Sequence, residues 1–227
     1  MKASNVLSLL VATLVAVNFA LAVREDPLQI FPQLKRSRKT ISGFADILVT
    51  AQSEVLLSEE SFVKNSISDE SALLNQLAGS DVQASGPECL DFIRKSVTQL
   101  LNLAGISYTN CFNDVDNRMF EELSKIPELA LTRADYDKYN LLGVFRGENI
   151  FIDPVSIRNK LTNRMRAPIN LPTVTPETEA ALRTVFEKLK TNFHTCMSSA
   201  QTKLASNLQY TSQQVRAICA AEASKRI

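Results

Sequence analysis

Apolar residues recur along this chain at steps of three and four, and in two long stretches the pattern barely breaks. The first opens at Pro87, where Leu90, Ile93, Val97, Leu100, Ala104, Tyr108, Cys111, Val115, Met119 and Leu123 fall on one face. That spacing is the signature of an amphipathic helix. Gly86 and Pro87 offer a start, and Glu88 sits where the helix dipole favours negative charge. The helix is expected to end near Pro127, with Gly105 its one weak point. The second stretch is capped by Thr175-Pro176-Glu177 and carries Leu182, Phe186, Leu189, Phe193, Cys196, Ala200, Leu204, Leu208, Val215 and Ile218. Its 4-3 alternation predicts a seam packed against another helix running nearly parallel or antiparallel to it. A kink or restart is expected at Tyr210-Thr211-Ser212.

Elsewhere the pattern is shorter. Phe44, Ile47, Leu48, Ala51, Val55 and Leu56, then Ile67, Leu73, Leu74 and Leu77, predict two short helices within 44–80, the second starting near Ser68 and stopping at Gly79. Thr132 begins a short helix reaching Leu142, Gly143 and Gly147 bracket a loop, and Asp153-Pro154 caps a helix reaching Met165. Pro168 and Pro172 forbid helix between Ala167 and Val174. The prediction is an all-α, elongated helical bundle.

The first 22 residues stand apart. Lys2 precedes an apolar run from Val6 to Ala22 that ends in Ala20-Leu21-Ala22, the small-x-small pattern read by signal peptidase. A secretory signal peptide (1–22), a polar flexible leader (23–43) and a helical domain (44–227) are expected. The basic cluster Lys35 to Lys39 lies in the leader, as a solvated arm or a processing site. No later run nears the ~20 apolar residues of a membrane span. Losing the signal removes Lys2 and leaves acidic and basic residues equal in number, so no global field draws in nucleic acid or anionic membrane.

The four cysteines carry the sharpest inference. Cys89 and Cys111 lie 22 positions apart on one long helix, and Cys196 and Cys219 lie 23 apart on the other. Along a helix these separations are about 33 and 34 Å, whereas a disulfide needs Cα atoms within ~7 Å. Bridges must therefore join the two helices. Antiparallel packing, the commoner arrangement, gives Cys89–Cys219 and Cys111–Cys196; parallel packing gives Cys89–Cys196 and Cys111–Cys219. Hairpins within each helix would need turns near Leu100 and Asn207, where no Gly or Pro stands. A zinc site is disfavoured by the absence of any Cys-x2-4-Cys pair and by an oxidising compartment.

Candidate chemistry is sparse. His194, the single histidine, has no nucleophile elbow beside it. Asp114, Asp116, Glu121 and Glu122, and again Asp135 and Asp137, are acidic groupings without the sixth-position glycine and twelfth-position glutamate of a calcium loop. Arg158, Lys160, Arg164 and Arg166 form a basic stretch without interleaved aromatics. No catalytic, cofactor or metal residue is assigned, and no enzymatic activity is expected. Two readings of function remain: an extracellular protein acting through a protein or surface partner, or a carrier of a small hydrophobic ligand between its helices.

The cysteine frame, with Leu90-Asp91-Phe92-Ile93 after Cys89, Tyr108 three places before Cys111, and Phe193-x-x-Cys196, resembles the TsetseEP-type domain of insect secreted proteins over about 89–219. It departs from that family in lacking a Cys-x-x-Cys near its end. The resemblance implies an extracellular helical domain with no established enzymatic activity.

Overall fold

A computed structural model describes residues 26–36, 43–78, 87–167, 169 and 171–224. Six α-helices appear among them: α1 Phe31–Arg36, α2 Phe44–Ala78, α3 Pro87–Ser124, α4 Arg133–Tyr139, α5 Pro154–Arg166 and α6 Pro176–Ser224. Short 3-10 turns occupy Pro27–Ile30, Pro127–Leu129 and Leu142–Phe145. The signal-like segment and residues 37–42, which hold the rest of the basic cluster, lie outside the described residues.

The fold is an elongated helical bundle built on α2, α3 and α6, with 35, 38 and 49 residues. Contacts fix their directions. Cys111–Cys196 and Phe112–Phe193 step forward along α3 and backward along α6, so these helices are antiparallel. Glu54–Lys190 and Phe62–His194 step forward along both α2 and α6, so that pair is parallel. The path is up-down-up. Buried apolar side chains from Leu48 through Val97 to Leu208 form one continuous core, and α4, α5 and the Leu142–Phe145 turn are packed into it through Tyr136, Ile157, Leu161 and Phe145.

The Cys111–Cys196 bridge spans 5.8 Å between Cα atoms and closes a separation of 85 residues. In the chain-entropy picture such a loop contributes about 4 to 5 kcal/mol. Cys89 is buried and disulfide-bonded; the side chain of Cys219 lies outside the described residues.

Several expectations need correction. Residues 44–78 form one helix instead of two. Phe62 and Val63 carry the apolar face across the expected break, while Gln52, Glu59 and Ser66, spaced by sevens, share the core-facing positions and interrupt the apolar pattern. Residues 27–36 are not a loose leader: Ile30, Phe31 and Leu34 are buried. Helix α3, by contrast, stops at Ser124, near Pro127 as expected, and Pro127 opens a separate turn. Helix α4 ends at Tyr139, because Asn140 turns extended and its Oδ1 accepts from Leu142 N. Asp153 does not cap α5 with its side chain; its Oδ2 accepts from Asn149 N instead. Helix α6 runs unbroken through Tyr210-Thr211-Ser212, and Met197, not Cys196, fills the seam, while Ile218 stays exposed. The steps from Phe193 to Met197 and then Ala200 keep to a period nearer 3.6, which leaves Cys196 at the rim of the stripe.

Candidate functional site

Helix α3 presents two faces of opposite character. Its inner face buries Ile93, Val97, Leu101, Tyr108, Phe112 and Val115. Its outer face carries Phe92, Leu103 and Ile106, exposed to 50, 51 and 51 %. Positions 92, 99, 103, 106 and 110 lie within a narrow sector, because steps of three, four and seven return to nearly the same azimuth. Between Lys95 and Asp114 the helix holds no charged residue, a run of 18 positions from Ser96 to Asn113. Thr98, Gln99 and Asn110 are the exposed polar members of that run. The face therefore offers apolar bulk and neutral hydrogen-bonding groups over about 27 Å.

The flank of this face is fixed by a close approach at Gly105. Asn149 Nδ2 donates to Asn102 O at 2.8 Å, and Thr109 Oγ1 donates to Glu148 O at 2.6 Å. A Cβ at Gly105 would stand 2.0 Å from Asn149 Oδ1, so only glycine admits this contact. Ile152, 56 % exposed, follows on the same loop.

Inside the bundle two polar clusters accompany the apolar core. The first is a neutral ionic hub. Asp116, 1 % exposed at its side chain, accepts from Arg146, from Arg133 Nη2 at 2.8 Å and from Asn140 Nδ2 at 2.6 Å. Arg146 also pairs with Asp137 at 2.9 Å, and Arg133 lies over the rings of Phe120 and Tyr136. Burial pushes the Asp116 carboxyl up, while Arg133, Asn140 and Tyr136 oppose the shift. Gln52 ties α2 to this hub, donating towards Tyr136 Oη at 3.4 Å and accepting from Leu141 N at 3.0 Å.

The second cluster lies further along α2. Ser66 donates to Phe62 O at 2.8 Å, so the Tyr108 hydroxyl 2.7 Å away donates to Ser66 Oγ. Burial pushes that tyrosine up to about 12. Between the clusters stands Glu59, fully buried, with neither carboxylate oxygen hydrogen-bonded. Burial holds its carboxyl well above the usual range. A buried acid without a partner costs several kcal/mol if ionised, so it stays neutral at low pH.

The groupings singled out in the sequence do not converge. Asp116 turns inward, away from Asp114, which pairs with Arg118 at 2.9 Å, and from Glu122, which pairs with Lys125 at 2.5 Å. Asp135 pairs with Lys138 at 2.7 Å and Asp137 joins the hub. Among the described residues no three His, Cys, Asp or Glu side chains are gathered as metal ligands would be. The basic stretch on α5 is divided: Lys160 pairs with Glu148, Arg158 lines a hollow beside Asp26, and Arg164 buries one nitrogen without a hydrogen bond. His194 is exposed and sets its ring edge-on to Phe62, 5.1 Å between centroids.

Two hollows indent the surface. One of about 230 Å3 lies among Asp26, Gln29, Ile30, Pro154, Val155 and Arg158. The other, about 620 Å3 and open to solvent, lies between α2 and α6 with Asp69, Gln76, Gln209, Gln213 and Arg216 on its walls. Ile30, Pro154 and Val155 in the first and Ala72, Leu73, Ala205 and Leu208 in the second add apolar surface, but both hollows open to solvent and neither encloses a ligand.

The neutral run Ser96 to Asn113 and the seven-residue spacing of Gln52, Glu59 and Ser66 are the signals in the sequence that mark the outer face and the buried polar line. No helix among the described residues is long and apolar enough to cross a membrane. Compared with models of protein families, with curated proteins and with solved structures, the chain matches none.

Proposed function

We propose that this chain is an exported, non-enzymatic interaction protein that docks an extracellular protein partner through the outer face of α3. The observation that carries the reading is the half-exposure of Leu103 and Ile106 within 18 residues free of charge, with Phe92 half-exposed one turn before that run. Interface centres are depleted in charge and enriched in large apolar side chains, because stripping water from an ion costs more than a partner returns. The signal-like start, the disulfide between α3 and α6, and the resemblance to the TsetseEP-type domain support export. The hollows support the carrier reading less well, since both are open to solvent and mix charged and amide side chains with apolar ones.

A photo-crosslinking side chain placed at position 106 tests the proposal, with position 202 on the exposed side of α6 as control. In the secretory fluid of the source, an adduct of defined mass is expected from position 106 and not from 202, and Leu103→Lys is expected to abolish it. No adduct, or equal adducts from both positions, would refute the docking role.

A further inference from the structure

The three long helices are not held alike. Helices α3 and α6 are riveted by Cys111–Cys196. Helix α2 contains no cysteine, so packing and polar contacts keep it in place, among them Gln52 with Tyr136 and Leu141, Ser66 with Tyr108, and Glu54 with Lys190 at 2.8 Å. At the middle of its buried face sits Glu59, whose two oxygens lack partners although its neighbours seven residues away on either side are both satisfied. We infer that α2 is a releasable cover on the riveted α3–α6 pair, closed while Glu59 is neutral and released as it ionises.

The charged and titratable groups around this position do not compensate an ionised Glu59. On α3, Tyr108 is engaged with Ser66 and Asp116 is committed to the hub. On α6, Lys190 is shared between Glu54 and Glu187, and His194 lies edge-on to Phe62. On α2 itself, Glu54 is paired with Lys190, and burial is what raises the Glu59 carboxyl. A carboxylate formed here has no cation to meet and must reach water.

The sign follows from linkage. A carboxyl held higher in the closed state than in the free chain favours closure, and that preference is full below the ordinary carboxyl range near pH 4. It is lost as pH rises towards the higher value of the closed state, by about tenfold in the opening equilibrium per pH unit. Opening would expose the apolar side of α2, namely Leu48, Val55, Leu56, Phe62 and Val63. The inference does not depend on docking at the outer face of α3.

Hydrogen exchange read by mass spectrometry on the full secreted chain, at pH 5 and pH 7 and corrected for intrinsic rates, tests it. Protection across 44–78 is expected to fall at least about tenfold between the two pH values, while α3 and α6 around Cys111 and Cys196 keep theirs. Glu59→Gln is expected to abolish the difference, and Glu59→Met serves the same end should the amide variant fail to fold. His194→Gln removes the only imidazole and is expected to leave the difference intact. Protection of α2 that tracks the riveted pair, or a pH effect that survives at position 59 and vanishes at 194, would overturn the inference.

Discussion

At Gly105 a missing side chain decides how the middle of the chain docks. The glycine lies mid-helix, where it costs about 1 kcal/mol relative to alanine, and in sequence it reads only as a weak point of α3. Its use becomes visible when Asn149 is seated against it, 2.0 Å from where a Cβ would stand. Gly105→Ala is therefore expected to destabilise the protein by about 2 kcal/mol despite better helix propensity, through displacement of Asn149 and loss of its bonds to Asn102 and Phe151. For a chain of this size that is a fall in Tm of about 4 to 8 °C; an unchanged or raised Tm would show that the loop does not depend on this contact. The same lesson holds at Glu59, where residue type announces a surface position and burial contradicts it. One-dimensional patterns do not record which polar residue has lost access to water.

Among elements, legibility tracks length and regularity. The starts of α3, α5 and α6 follow from Pro87, Pro154 and Thr175-Pro176, and the Thr132 cap of α4 is realised, its hydroxyl accepting from Asp135 N at 3.1 Å. Helix α2 misleads because polar residues at seven-residue intervals enter the core, so the apolar period looks broken where the helix is continuous. Beyond its Thr132 cap, the 133–146 segment is placed by tertiary ion pairs that the sequence pattern does not record. Arg146→Ala would leave Asp116 and Asp137 short of their shared guanidinium. With Arg133 and Asn140 still in place, the expected cost is about 2 kcal/mol. Urea unfolding should show it as a lowered midpoint with an unchanged slope; an unaltered midpoint would mean that the hub does not anchor this segment.

Across the whole molecule, the antiparallel seam of α3 and α6 organises everything else. It sets the level at which α2 lies, presents the neutral face of α3 outward, and leaves the hub at the end where α4 and α5 pack. The pairing of Cys111 with Cys196 follows from nearly equal cysteine spacing, 22 and 23 positions, on two helices once they run in opposite directions. Continued along the same helices, that register brings Cys89 level with the last turns of α6, where the fourth cysteine stands. Non-reducing peptide mapping of the exported protein tests this arrangement most directly. Two linked peptides are predicted, one joining Cys111 to Cys196 and the other joining Cys89 to Cys219. A bridge between Cys89 and Cys111, or free thiols at all four positions, would contradict it.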